Sequence, residues 1–483
     1  MPYTVPHVKR CVPSSVQTHA VPHAVYTGVH AWEKHILAFC DAVFSAYGVR
    51  AARGEGGVEL CFDASLKKNE YRIDASEAIR VYASDSEGAC YGLATVLQAM
   101  FVIPQGFVME SVLIEDAPDK DYRAFMIDLG RQWHPFQKLL RLVDICFFYK
   151  IKYLHLHFAD TELYTLPSRA FPKLNKKGRY YTEEEIARLR AYADARGVVI
   201  VPEFECPGHA PILNRVYPEI FKDKSTAPDG AFHDEAGNVI PSDSLLCAGS
   251  ETAFEGIKTL ISEMASLFPE APYLHIGGDE ATISLWDECE ACRSYMKENG
   301  IADVQELYSE YVGRVCRFVL SLGKTPIVWE GFPKRGSHRI PKETVVEVFE
   351  CLYHLPCDLL DAGFRIINAS WQPLYIVPAM ALDPRRNWGA KDIFLWDVHR
   401  FENWWERSAA YGNPITVPES DALLGASLCA WEMTYDEEIS TVMANLAALS
   451  ERVWSTERMR TMDDFWSGFR RIYDILARII QDR

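Results

Sequence analysis

The chain has 483 residues, 48% of them hydrophobic and 12% aromatic, which supplies a large core and excludes disordered and fibrous classes. At roughly 100–200 residues per domain this length allows two to four domains, although one barrel can absorb about 250 or more. Fifty Lys and Arg against 67 Asp and Glu give a net charge of −17, which argues against nucleic acid or an anionic membrane surface as the main partner.

No apolar stretch reaches about 18 uninterrupted residues, so no membrane span is expected. Met1-Pro2-Tyr3-Thr4-Val5-Pro6-His7 lacks the basic-then-apolar pattern of a secretory leader, and the cytoplasm is the expected compartment. The 13 cysteines are odd in number and scattered. One C-x-x-C occurs, Cys289 and Cys292, with no second pair nearby. Structural zinc usually takes four ligands, so reduced thiols are expected, with no metal and no cofactor.

Residues 1–118 read as a small α+β domain. His30 to Tyr47 has helical periodicity and is closed by Gly48. Strand-like runs follow at Val58–Phe62, Tyr71–Ile73 and Ile79–Ala83. Ser86 is positioned to cap a helix from Glu87 to Met100, with Leu93, Val96, Leu97 and Met100 as its apolar face. A further strand is expected over Phe107–Ile114. Asp116-Ala117-Pro118-Asp119 then breaks the pattern, which places the domain boundary between residues 118 and 119.

From Arg123 strand and helix alternate. The strand-like runs are Ala124–Asp128, Tyr153–Phe158, Val198–Phe204, Tyr273–Gly277, Thr325–Trp329, Val345–Phe349, Arg365–Ala369 and Ala426–Trp431. Between them, Thr182 and Glu185 form a capping box, Ser250 precedes a Glu251–Phe268 helix, and Asp303 to Leu322 is a helix stopped at Gly323. Eight strands alternating with helices predict an α/β fold, a (β/α)₈ barrel over residues 119–483, with a last helix, Asp464 to Ile480, packed outside.

In such barrels the active site lies where strands hand over to the following loops. Those ends are unusually polar: Asp128-Leu129-Gly130-Arg131, His155 through Asp160, Glu203 through His209, His275 through Glu280, Trp329-Glu330, Trp371 with Tyr375, and Trp431-Glu432. Burying these charges unpaired would be expensive, so core packing does not explain them. Carboxylates for hydroxyls and proton transfer, beside aromatic faces for the apolar side of a pyranose, describe a sugar site. His155-x-His157 is expected to be structural rather than metal-binding, with one ring toward the barrel and the other toward the helices. Asp279-Glu280, at a strand end after Gly277-Gly278, is the strongest functional candidate.

His275-Ile276-Gly277-Gly278-Asp279-Glu280 resembles the H-x-G-G-D-E signature of family 20 glycoside hydrolases, the β-N-acetylhexosaminidases. Four further segments resemble that family in the same order: Met126 to Arg131, His155 to Asp160, Pro202-Glu203 through Pro207-Gly208-His209, and Glu451-Arg452-Val453-Trp454-Ser455. Residues 71–100 are similar to the α+β domain that precedes its barrel. The resemblance implies an exo-acting, retaining, substrate-assisted hydrolysis in which the substrate's 2-acetamido oxygen replaces an enzyme nucleophile. Glu280 would be the general acid and base, Asp279 would orient the acetamide and stabilise the oxazolinium, and Tyr375 would donate to the acetamide oxygen. Trp329 and Trp431 resemble walls of the acetamide pocket, and Phe349 stands near the place of a third, usually tryptophan. Arg131 would bind ring hydroxyls, and Trp371, Trp396 and Glu432 are grouped with the substrate-binding residues. His209 with Asp160 would tune Glu280, while Glu205 and His157 would support the carboxylates.

Two positions depart from the family pattern. Val377 stands where an Asp is common, and Met433 where a Glu is common, with Glu432 one step earlier. Asp397 or Glu402, after Trp396, are the candidates to replace them at the outer hydroxyls. The implied partner is a terminal β-linked N-acetylhexosamine of oligosaccharides or glycoconjugates, with a homodimer left open as the assembly. The alternatives are a metal-dependent barrel hydrolase using His155, His157, His209, His275 and Asp279, or a relative releasing a modified hexosamine or a disaccharide.

Overall fold

The structure is a computed structural model that describes residues 2–222, 245–378 and 386–481. Its N-terminal part holds a seven-stranded sheet in the order Arg10–Pro13, Val112–Asp116, Tyr71–Asp74, Ile79–Ala83, Val58–Phe62, Ala24–Thr27, Ala52–Arg53. Helices Glu33–Tyr47 and Ser86–Ala99 supply apolar faces to it. The cap of the second helix is Asp85, not Ser86: its carboxylate accepts the Gly88 N–H at 2.8 Å, and a negative charge suits a helix N-terminus. The strand expected over residues 107–114 is two strands. Gly106–Val108 belongs to a separate three-stranded sheet and Val112–Asp116 to the seven-stranded one. Between them the Ser111 N–H donates to Thr18 and its carbonyl accepts from Ser14, so the chain changes sheets there.

Eight parallel strands form the barrel: β1 (Tyr122–Asp128), β2 (Tyr153–His157), β3 (Val199–Glu203), β4 (Tyr273–His275), β5 (Thr325–Trp329), β6 (Val345–Val348), β7 (Arg365–Asn368) and β8 (Leu423–Ala430). Each pairs with the next, and β8 pairs with β1, which closes the ring. All eight expected strands are present, with shifted ends. A short strand, Tyr375–Ile376, lies beside Cys429 and Ala430 of β8 and brings Tyr375 to the mouth. The capping box of Thr182 with Glu185 and the cap at Ser250 are formed as expected, and Asp303, expected as the first residue of its helix, is instead its cap. Among the described residues no helix is long and apolar enough to cross a membrane.

The barrel interior has three kinds of filling. At the base Tyr122, Ala124, Tyr153, Val201, Ile327, Val345 and Ile367 form an apolar plug. Above it His155, Glu203, His275 and Glu347 are all fully buried. Toward the carboxyl ends Met126, Trp329, Phe349, Ala369, Tyr375 and Cys429 pack with Trp371 and Trp431. A polar layer where barrels ordinarily place branched apolar side chains marks a working interior.

The E-R-x-W-S segment is a clamp between the two parts of the chain. Trp454 is buried, its indole donates to Asp116 Oδ1 at 3.0 Å, and Asp116 Oδ2 accepts from Tyr71, which also accepts from Lys150 Nζ at 2.7 Å. Glu451 accepts the His7 N–H, and the last helix, Met462–Ile480, donates from Arg471 to the Met100 carbonyl.

Candidate active site

After β4 the chain turns through Gly277 (φ 65°) and Gly278 (φ 96°) to Asp279 and Glu280. Glycine at 277 is required twice: by its positive φ, and because a Cβ would fall 1.6 Å from Glu205 Oε2. Of the six described non-glycine residues in the left-handed region, four are Glu280 (φ 45°), His209 (φ 47°), Cys351 (φ 54°) and Glu432 (φ 59°), while Asn69 and Lys150 lie elsewhere. The four follow β4, β3, β6 and β8. Left-handed backbone at non-glycine residues costs on the order of 1–3 kcal/mol each, and its gathering at one end of the barrel marks that end as functional.

Around this turn runs a chain of charges. His209 Nε2 lies 3.3 Å from Glu280 Oε2 and 3.9 Å from Asp279 Oδ2, and its Nδ1 lies 3.5 Å from Asp160 Oδ1. Asp160 Oδ2 meets Arg131 Nη2 at 2.8 Å and His157 Nε2 at 3.0 Å. Asp128 accepts the Arg131 N–H at 2.9 Å, and the guanidinium lies over the Trp431 ring at 5.0 Å. Burial would raise the Asp160 carboxyl, but hydrogen bonds from His157 and His209 and the charge of Arg131 hold it well below the usual range. Burial would lower His209, but its bonds to Asp160 and Glu280 raise it well above an ordinary histidine. The bond from His209 in turn lowers Glu280, whose side chain is 50% exposed. Burial pushes Asp279 up to about 7, against the attraction of His209, with Glu280 adding to the rise. Among the described residues Asp279 Oδ1 has no hydrogen-bond partner. It is a buried acceptor facing a donor that the protein does not supply.

Beside the carboxylates stands an aromatic box. Phe349 stacks on Tyr375 with centroids 6.0 Å apart and planes at 8°. Trp431 lies 6.0 Å from Tyr375 and 5.9 Å from Trp329, and Trp371 stands edge-on to Tyr375 at 5.7 Å. Burial holds the Tyr375 hydroxyl well above 10, so it is neutral and available as a donor. The Trp329 indole donates to Glu203 Oε1 at 2.6 Å, which fixes that wall.

Both histidines of H-x-H face the barrel interior, contrary to the expectation of opposite faces, because residues two apart on a strand share a face. Glu203 Oε2 lies 2.9 Å from His155 Nε2 and 2.6 Å from His157 Nδ1, while Oε1 lies 2.9 Å from His275 Nδ1. His155, Glu203 and His275, or His157, Glu203 and Glu205, have the donor types of a metal site. Both sets are fully buried, and Trp329 lies against His155 and His275 at 5.9 and 4.9 Å. An ion at His155, Glu203 and His275 would lie against Trp329, away from a substrate at the mouth, which disfavours that set as a catalytic metal site.

Glu205 is buried and pushed well above the carboxylate range by burial and by Asp279 and Glu203. Glu432 reaches the mouth, its Oε1 3.9 Å from Arg131 Nε. Trp396 does not join this group. It is buried in the outer apolar core, its indole donates to the Arg400 carbonyl, and its own carbonyl accepts from Arg452. Asp397 is taken by His399 at 2.8 Å, and Glu402 by Arg400 at 2.9 Å. Sequence reasoning missed Glu347, Glu350, Tyr353 and Trp404. Glu350 is buried, with its carboxyl raised to about 9 by burial and by Glu280, Glu330 and Asp279. The Tyr353 hydroxyl is raised by burial and then by Glu350, Glu280 and Asp279, and Trp404 packs on Trp371 at 5.1 Å. The signal for Glu347 was a lone charge inside the apolar run Val345–Val348. Glu350 directly follows the recognised Phe349.

Comparison with known proteins agrees with this geometry. The model of the glycosyl hydrolase family 20 catalytic domain matches residues 121–457. A β-hexosaminidase of Akkermansia muciniphila is 27% identical over 432 residues, covering 84% of this chain and 83% of that protein. The β-hexosaminidase subunit beta of Entamoeba histolytica is 26% identical, covering 80% of this chain and 69% of that protein. Among solved structures, an exo-β-N-acetylglucosaminidase of Vibrio harveyi superposes with a TM-score of 0.84 at 20% identity, over 98% of this chain and 77% of that one. A mutant β-hexosaminidase of Streptomyces plicatus, in complex with its product GlcNAc, gives 0.76 at 19% identity, over 98% and 95% of the two chains. With a family model covering the whole barrel, and its signature carboxylates at the barrel's carboxyl end, the chain is a glycoside hydrolase and belongs to glycosyl hydrolase family 20.

Proposed function

We propose that the chain is an exo-acting, retaining β-N-acetylhexosaminidase that removes terminal β-linked GlcNAc or GalNAc by substrate-assisted catalysis. The observation that carries this reading is the pairing of two unlike carboxyls with the aromatic box. Asp279, buried with one free oxygen, and Glu280, half exposed against His209, stand at a pocket walled by Trp329, Phe349, Tyr375 and Trp431. The names of the relatives above support the substrate class.

In this reading the apolar walls hold the acetamide methyl. The acetamide N–H donates to Asp279, and the Tyr375 hydroxyl donates to the acetamide oxygen, which aligns that oxygen with C1. Glu280 gives its proton to the glycosidic oxygen as the bond to C1 breaks and the acetamide oxygen bonds C1. The resulting oxazolinium carries the positive charge, and Asp279 as carboxylate stabilises it. Glu280, now ionised, takes a proton from water as that water attacks C1, which regenerates the acetamide and the acid. Arg131, held by Asp128 and Asp160, binds ring hydroxyls. We also propose the division at residues 118 and 119 into an N-terminal domain and the catalytic barrel.

The test is a panel of aryl β-glycosides with and without the 2-acetamido group. The acetamide is expected to be obligatory, and a thiazoline mimic of the bicyclic intermediate to inhibit tightly, since it presents the shape and charge the site favours. Comparable rates on the β-glucoside and the β-N-acetylglucosaminide would refute the reading.

A further inference from the structure

Cys289 and Cys292 are a lone C-x-x-C in sequence, but the fold brings Cys247 to them. Cys247 Sγ lies 3.5 Å from Cys289 Sγ and 3.9 Å from Cys292 Sγ, and all three sulfurs lie within 4.8 Å of one another. The three residues are 4%, 3% and 0% exposed. We propose that Cys247, Cys289 and Cys292 bind one Zn²⁺ as a three-thiolate structural site, with the fourth position filled by a donor outside this set.

Three observations converge on it. Tetrahedral zinc with Zn–S bonds of about 2.3 Å places its sulfurs roughly 3.8 Å apart, close to the two distances from Cys247, whereas a disulfide needs about 2.05 Å. Cys289 caps the helix Glu290–Asn299, and its sulfur accepts the Cys292 N–H at 3.2 Å. An N–H bond and a helix N-terminus both favour the thiolate that a soft cation requires. The backbone around the cluster is already clamped: a Cβ on Gly249 would fall 2.3 Å from the Ala291 carbonyl oxygen, and the Trp286 indole donates to the Leu246 carbonyl at 2.9 Å. Binding would convert three thiols to thiolates, release three protons, and leave a site of net charge −1.

The consequence is a staple. Cys247 precedes the helix Glu251–Leu267 that leads to β4, and Cys289 and Cys292 follow the loop that carries Asp279 and Glu280. An ion there ties together the two approaches to the catalytic turn without entering the reaction.

Full-length protein purified without added metal is expected to contain about one zinc per chain by elemental analysis. Chelator-stripped wild type given Co²⁺ should show the thiolate-to-cobalt charge-transfer band and the intense visible absorption of a tetrahedral thiolate site. Alkylation under denaturing, non-reducing conditions should then label all 13 cysteines. Cys247→Ser, Cys289→Ser and Cys292→Ser should each weaken zinc retention by more than about tenfold and lower Tm, with kcat of the folded variant near wild type. Zinc-free protein, a Co²⁺ spectrum without the thiolate band, or a disulfide among the three would overturn the proposal. The wild-type measurements decide it even if the variants do not fold, and none of them depends on the hydrolase reading.

Discussion

Asp279 and Glu280 are neighbours in the chain and are driven in opposite directions. Asp279, closed off from water, is pushed up to about 7, while His209 at 3.3 Å holds the Glu280 carboxyl below its ordinary value. Between those limits the pair shares one proton, which these environments bias toward Asp279 in the free enzyme. The reaction proposed above needs that proton on Glu280 and the charge on Asp279. Substrate supplies the reversal: an acetamide N–H bonded to Asp279 favours its anion, and a sugar over Glu280 removes water from it. The site is poised by its own burial pattern, and the ligand completes it.

The pH dependence follows from that shared proton. The kcat/KM profile, which reports the free enzyme, should be bell-shaped. Its alkaline limb, the loss of the last proton, is expected at about 7, and its acid limb below the ordinary glutamate value. His209→Asn removes the donor that lowers Glu280 and should move the acid limb upward. A wild-type profile flat through pH 9 would contradict the shared-proton account.

Glu280→Gln should leave the fold intact, since the side chain is half exposed, and reduce turnover by about 10²–10⁴-fold, the usual worth of a positioned acid–base. Glycosides with a very good leaving group should lose less in the first step, because they need less protonation. Near-wild-type hydrolysis of an alkyl glycoside by this variant would remove Glu280 from the role.

The barrel was legible because its strands are buried on both faces and appear as short apolar runs with polar ends. The Asp279-Glu280 turn and the aromatic side chains Trp329, Phe349 and Trp431 were legible at those ends, whereas the role proposed for Tyr375, on its own short strand, came from the family resemblance. What escaped depends on direction or distance. Trp396 has the right residue type but turns into the outer core to meet Arg400. Cys247 is 42 residues from Cys289, and no local pattern links them. Strands such as Arg10–Pro13 and Ala24–Thr27 are short and form only through distant partners.

Glu347 gives a stability prediction. It is fully buried, neither oxygen has a well-formed hydrogen bond among the described residues, and burial raises its carboxyl to about 7. A carboxyl whose folded value lies above its unfolded value binds its proton more tightly when folded. Its contribution is therefore complete below about 4.5 and is lost as pH rises through about 7. Glu330 is raised to about 7 as well and acts in the same direction. Wild-type Tm should fall from pH 5 to pH 8. The Tm difference between Glu347→Gln and wild type should move in the variant's favour over that range, by an amount worth on the order of 3 kcal/mol at most. A difference that does not change with pH would show that Glu347 is ionised throughout.

The last prediction concerns the sugar's C4 hydroxyl. Telling gluco from galacto epimers needs polar groups at that hydroxyl, and a buried group left unpaired penalises the wrong epimer strongly. Val377 and the buried Met433 offer no such group, and Asp397 and Glu402 are engaged with His399 and Arg400. Of the described residues weighed for this role, Arg131, already tied to Asp160 and Asp128, and Glu432, whose carboxylate is largely exposed, remain. Arg131 can donate to a hydroxyl in either orientation, and an exposed carboxylate left without a partner is simply hydrated, so neither enforces one epimer. The expected site accepts both N-acetylglucosaminides and N-acetylgalactosaminides with kcat/KM values within roughly one order of magnitude, about 1.4 kcal/mol. Glu432→Ala should weaken both substrates together rather than change their ratio. A wild-type ratio beyond about a hundredfold, for the two epimeric aryl glycosides, would mean that another polar group reads C4, and Glu350 beside the catalytic pair would be the first residue to substitute.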